Sequence, residues 1–165
     1  MLIVFGGLPG TGKTTIAKKL AKRLAATYLR IDSMEQAIIH SGIKTADIGP
    51  AGYYAAYAVA ADNLRLGLAV IADSVNAITL TRDAWKEVAF KTQMPLLEVE
   101  FICSNQQEHR KRIESRKSDI IGHELPNWHD VLKRIYEPWS RDHVVVDTSQ
   151  LSSDEAVEVI MNHIK

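Results

Sequence analysis

Cysteine is nearly missing from these 165 residues: Cys103 is the only one. A single thiol excludes a disulfide framework and a cysteine-rich metal site, and suits a small buried residue at a strand end. An excess of either charge is missing too. Lysine plus arginine number 20, aspartate plus glutamate number 20, and the formal net charge is +0. That balance offers no evident groove for a nucleic-acid backbone and no pull towards an anionic membrane, so neither is expected as a partner. No apolar run approaches the length of a membrane span. Met1-Leu2-Ile3-Val4-Phe5 has neither the basic flank nor the length of a signal peptide. A soluble, cytoplasmic protein is expected. Linkers rich in Pro, Ser or Gly, low-complexity tracts and repeats are also absent, so residues 1–165 are read as one domain. His40, His123, His129 and His143 follow no metal-ligand spacing and are assigned to the surface or to packing.

What is present is concentrated near the start of the chain. Gly7-Leu8-Pro9-Gly10-Thr11-Gly12-Lys13-Thr14 is a complete Gly-x-x-x-x-Gly-Lys-Thr phosphate-binding pattern. The apolar run Leu2-Ile3-Val4-Phe5 precedes it, and Ile16, Leu20 and Leu24 recur at helical spacing after it. A strand, a loop and a helix are the context the motif needs. Glycines let the backbone curl until several N–H groups point at one anion, and the helix start adds its positive dipole end. Gly7 through Thr14, with Thr15 beside them, are therefore expected to cradle ATP. Lys13 should reach the β and γ phosphates, and the Thr14 hydroxyl should hold Mg2+.

Further strands alternate with helices. Tyr28-Leu29-Arg30-Ile31 stops at Asp32, and Asp32 with Glu35 reads as a cap for a helix to about His40. Residues 41–50 read as a loop. An alanine-rich helix follows, and Leu68-Ala69-Val70-Ile71-Ala72 is a buried strand ending at Asp73. Trp85, Val88 and Ala89 mark another helix before the strand Leu96-Leu97-Glu98-Val99-Glu100-Phe101-Ile102. Ser104-Asn105-Gln106-Gln107 resembles a capping box for a helix to about Ser115. A polar stretch over 116–127, a short helix near 130–136, the strand Val144-Val145-Val146 and a helix capped at Ser152-Ser153-Asp154-Glu155 complete the chain. This is the α/β pattern of a parallel sheet covered by helices on both faces, with ligands at the carboxyl ends of the strands.

Those ends carry the candidate chemistry. Asp73 follows a buried strand as a Walker B acid does and is expected to hold the metal together with Thr14. Asp32 is the better candidate for the general base, although Asp73 stays open as the base. Arg112 and Arg116, four apart, share a helix face that enters the polar stretch. A lid over about 112–130 is expected, closing over the triphosphate and lending these two arginines to catalysis. Tyr54, Asn76 and Arg82 are assigned to the acceptor site. Trp128, Tyr136 and Trp139 are expected to pack the lid region onto the body.

The loop, Ile31-Asp32-Ser33, Ile71-Ala72-Asp73-Ser74-Val75-Asn76 and the arginine-bearing segment from His109 to Arg116 together resemble small P-loop kinases. The resemblance is to the AAA-type ATP-binding kinases, a group similar to chloramphenicol phosphotransferase, zeta toxins, gluconate kinase and phage polynucleotide kinase. It implies a three-layer, adenylate-kinase-like sheet of strand order 2-3-1-4-5, ATP with Mg2+, and an acceptor hydroxyl near Asp32. It also implies lid arginines that contact the adenine and the phosphates, which Arg112 and Arg116 match in spacing, with Arg112 among the ATP-binding residues and Thr148-Ser149-Gln150 bordering the ring. From Asp32 to Asn63 the only basic residue is Lys44. A phosphate-bearing acceptor would be poorly held there, so an uncharged small molecule with a free hydroxyl is expected. A nucleotide-driven switch or ATPase module and a polynucleotide 5′-kinase are the alternatives. No Asn-Lys pair occurs to support a guanine-specific switch.

Overall fold

The computed structural model of the chain describes residues 1–42 and 48–164. Lys44 and the other residues of 43–47, half of the loop expected over 41–50, lie outside the described residues. Five strands are present among them: β1 Leu2–Gly6, β2 Thr27–Arg30, β3 Val70–Asp73, β4 Leu96–Ile102 and β5 Val144–Asp147. Seven helices surround them: α1 Lys13–Leu24, α2 Ile31–His40, α3 Ala51–Arg65, α4 Thr79–Thr92, α5 Gln106–Ser115, α6 Trp128–Lys133 and α7 Ser153–Met161. The sheet is parallel throughout, in the order β2-β3-β1-β4-β5. This is the α/β P-loop arrangement that the resemblance implied.

β1 lies at the centre, and its period-two pattern supplies two cores. Ile3 and Phe5 pack on one face with Ile16 and Leu20 of α1 and Val157 and Ile160 of α7. Leu2 and Val4 pack on the other with Ala56 and Leu64 of α3 and Trp85 and Val88 of α4. All four β1 side chains are fully buried, each contributing about 1.5–3 kcal/mol. A strand buried on both faces reads as an unbroken apolar run, which is why the sequence pattern located it. The register then sets the site. Phe5 lies beside Asp73, and Asp73 beside Arg30. The loop after β1, the acid ending β3 and the residues closing β2 therefore emerge at one edge of the sheet.

Several local expectations are corrected. Asp32 does not cap α2. The helix already starts at Ile31, with Arg30 as the capping position and no side-chain cap bond. Asp32 sits in the first turn, where a carboxylate favours the helix dipole. At α5 the cap is Asn105, whose Oδ1 accepts from Glu108 N at 3.1 Å. Ser104 instead pairs with the Ser149 hydroxyl at 3.0 Å. α6 starts earlier than expected, at Trp128, because Asn127 and Asp130 form a capping box there. β3 begins at Val70, after Gly67 turns at φ 83° and leaves Leu68 partly exposed. The Ser152–Glu155 capping box forms as read, and Cys103 lies buried just after β4.

Candidate active site

The loop between β1 and α1 is shaped by its glycines. Gly7, Gly10 and Gly12 have φ of 133°, 81° and 84°, a region other residues enter only with strain. Space is as restrictive as angle. A Cβ at Gly7 would lie 2.2 Å from the Phe101 carbonyl oxygen, and one at Gly10 would lie 2.6 Å from Ile113 Cδ1. Lys13 Nζ donates to the carbonyls of Gly7 and Leu8 at 2.7 and 2.9 Å, and Thr11 Oγ1 donates to the Leu8 carbonyl at 2.8 Å. From the far side, His109 Nε2 stands 2.7 Å from the Pro9 carbonyl oxygen while its ring meets Trp128 edge to face. His109 thereby ties α5 to the loop. The sequence reading gave it no role, although it opens the arginine-bearing segment.

Charges of both signs converge here. Burial lowers the Lys13 ammonium to about 8. Asp73 and Asp32 oppose that shift, while Arg116 and Arg134 reinforce it. Asp73 is 3% exposed and accepts from the Tyr28 hydroxyl at 2.7 Å. Burial raises its pKa, and Lys13, Tyr28 and Thr14 pull against the rise. A buried carboxylate beside a threonine hydroxyl is an oxygen-donor pair suited to Mg2+, which takes one or two protein oxygens alongside phosphate. Asp32 lines the same cleft, 4.0 Å from Arg30 Nε. Glu35, one turn further along α2, lies there too, and burial with the Asp32 charge raises its pKa.

The two arginines four apart differ in what they touch. Arg112 is engaged: its guanidinium donates to Thr148 Oγ1 at 2.7 Å and to the Thr148 carbonyl at 2.8 Å, and it pairs with Glu108. Thr148 also borders Gly12. Arg116, which ends α5, lines the cleft, and its guanidinium makes no hydrogen bond or ion pair among the described residues. Arg134, which ends α6, does the same. Sequence reading missed Arg134 because nothing in a short polar helix says which of its residues turns inward. It missed Arg30 as well, although a charged residue closing a buried strand was a usable signal.

Three acceptor-site assignments do not fit the geometry. Tyr54 is 68% exposed and lies outside the cleft. Its neighbour Tyr53 is the half-buried one, set beside Ser74 and the Asn76 backbone, with desolvation raising its pKa. Asn76 is fully buried and donates Nδ2 to the Phe5 carbonyl at 2.7 Å, so it braces β1. Arg82 is 2% exposed and spends its guanidinium on the carbonyls of Asn76, Ala77, Glu137 and Pro138. The Tyr136 and Trp139 rings stack against it, with centroids 5.2 and 4.3 Å away. Arg82 fastens residues 136–139 to the body and leaves nothing for an acceptor. Of the histidines assigned to surface or packing, His123 lines the cleft and His143 stacks on Trp139.

The resulting cleft has a volume of about 690 Å³ and is walled by the loop, Asp32, Asp73, Arg116, Arg134 and residues 123–126. A family profile described as an AAA domain matches residues 2–138. The chain belongs to this family. No curated protein matches it significantly. Among solved structures, Kti12 of Chaetomium thermophilum, in complex with ADP-AlF3, matches with a TM-score of 0.73 at 22% identity, covering 100% of both chains. A sugar kinase from a Janibacter species matches at 0.71 and 18%, covering 99% of this chain and 93% of that one. The Mycobacterium tuberculosis APS kinase CysC, in complex with AMPPNP and APS, matches at 0.74 and 15%, covering 99% and 96%. At these identities the likeness is one of fold: a kinase-like P-loop domain.

Proposed function

We propose that the chain is an ATP-dependent phosphotransferase that moves the γ-phosphate to a hydroxyl of a small acceptor. The observation that carries this reading is the meeting, in one cleft, of the phosphate loop, the Asp32 carboxylate and two unengaged arginines. Gly7 through Thr15 hold the triphosphate through backbone N–H groups and the Lys13 ammonium. Thr14 and Asp73 are the residues that would hold Mg2+, which when bound neutralises charge on the β and γ oxygens. Arg112, anchored on Thr148, shapes the nucleotide end of the cleft. Arg116 and Arg134 face the Lys13 end, where negative charge grows in the transition state. Asp32 orients the acceptor hydroxyl and takes its proton as the new O–P bond forms and the bond to the leaving ADP breaks. Residues 112–130 act as the lid, excluding water that would otherwise compete with the acceptor. The chain works as one domain in the cytoplasm.

The test is ADP release in a panel of hydroxyl compounds. Release is expected to be slow with ATP and Mg2+ alone and to rise with an acceptor of the right shape. Rapid release that no acceptor changes would favour the nucleotide-driven module instead.

A further inference from the structure

Arg30 is a buried charge at the end of the edge strand β2. It closes β2, is 7% exposed, and its Nε has no hydrogen-bond partner. A buried guanidinium is costly unless an anion meets it. The sheet supplies none at bonding distance, because Asp32 stands 4.0 Å away and Asp73 is held by Tyr28. Instead the partner is Asp119, from the irregular segment after α5. Arg30 Nη1 lies 2.8 Å from one Asp119 oxygen, and Lys18 Nζ of α1 lies 2.7 Å from the other. Two cations fixed to the body thus grip both oxygens of one carboxylate, inside the cleft and next to Asp32. Arg30 is locked in the sheet, whereas the Asp119 side chain is 51% exposed on the lid.

Given the phosphotransfer reading above, we infer that Arg30 and Lys18 recognise a carboxylate on the acceptor, in the place Asp119 now fills, so that the substrate is a small hydroxy acid. Its size follows from Arg30 itself. Nη1 holds the carboxylate while Nε faces Asp32, so carboxylate and reacting hydroxyl lie about one guanidinium apart, a span of a few carbon atoms. The expectation of an uncharged acceptor came from residues 32–63. The cations that serve the acceptor stand at positions 18 and 30, outside that stretch.

The test uses acceptors paired by the presence or absence of a carboxylate, glycerate with glycerol and gluconate with glucose, on the full chain with ATP and Mg2+. The acidic member of a pair is expected to have the higher kcat/KM by about tenfold. Asp119→Asn, which removes the competing negative charge from the grip, should lower KM for the acid and leave KM for ATP unchanged. Arg30→Gln should erase the preference for the acid. Lys18→Gln, at a half-exposed position, should reduce it even where the Arg30 variant fails to fold. Equal use of both members, or a preference that Lys18→Gln leaves undiminished, would overturn the inference while leaving phosphotransfer intact. A binding arm separates the two readings. With AMPPNP and Mg2+ filling the loop, gluconate should bind the Asp119→Asn protein in saturation-transfer NMR, and more weakly once Lys18→Gln is added. That result without any turnover would sink phosphotransfer alone. Absence of gluconate binding would overturn the carboxylate site.

Discussion

The loop from Gly7 to Lys13 and the wall from Arg30 to Glu35 emerge at the same edge of one sheet, yet they define a ligand by different means. In the loop the shape is backbone. Three positive φ angles and two contacts that forbid a Cβ fix where the N–H groups point, and a side chain at Gly7 or Gly10 would meet Phe101 or Ile113. In the wall the shape is side chain. Arg30, Asp32 and Glu35 present charged groups rather than backbone to the cleft, and one partner, Asp119, arrives from 89 residues away. A site made of backbone tolerates little and keeps one ligand, a polyphosphate. A site made of side chains can be retuned residue by residue.

That contrast can be broken or sharpened by mutation. The largest effect should come from the pair Arg116→Ala and Arg134→Ala together, a loss of about 10³–10⁵ in kcat with ATP affinity little changed. If Arg134→Ala alone leaves kcat intact, its approach to Lys13 has no catalytic weight. Arg112→Ala should behave differently, raising KM for ATP more than it lowers kcat, because its bonds go to Thr148. Gly10→Ala should remove nucleotide binding altogether, read by calorimetry, since both its φ of 81° and the 2.6 Å approach to Ile113 oppose a methyl group. Arg82→Ala, outside the cleft, should instead cost about 1–3 kcal/mol in denaturant unfolding by leaving buried carbonyls unpaired. The smallest effect belongs to Asn105→Ala. Loss of the α5 cap should cost about 1 kcal/mol, with activity retained.

The same contrast explains what could be read from the sequence. The loop was legible because a backbone conformation needs its glycines at fixed spacing, and the strands because burial on both faces leaves apolar runs. Asp32 was placed at the right strand end but given the wrong local role, since a one-residue shift in where α2 begins turns a cap into a first-turn residue. Ser104 and Asn105 can both cap, and only the bond to Ser149 removes the first from contention. Arg82 looked available because the aromatic pair that holds it, Tyr136 and Trp139, lies more than fifty positions on. Arg30, Asp119 and Arg134 meet only through the tertiary fold, and no spacing in the chain announces them.

Phosphotransfer depends most on Asp32, and one comparison tests that dependence directly. Wild type and Asp32→Asn should be measured side by side for ATP binding and for single-turnover transfer to the best acceptor found. ATP affinity is expected to stay within about twofold while transfer falls by about 10²–10⁴. An Asp32→Asn protein that transfers phosphate at the wild-type rate, or that loses ATP binding and transfer together, would contradict it.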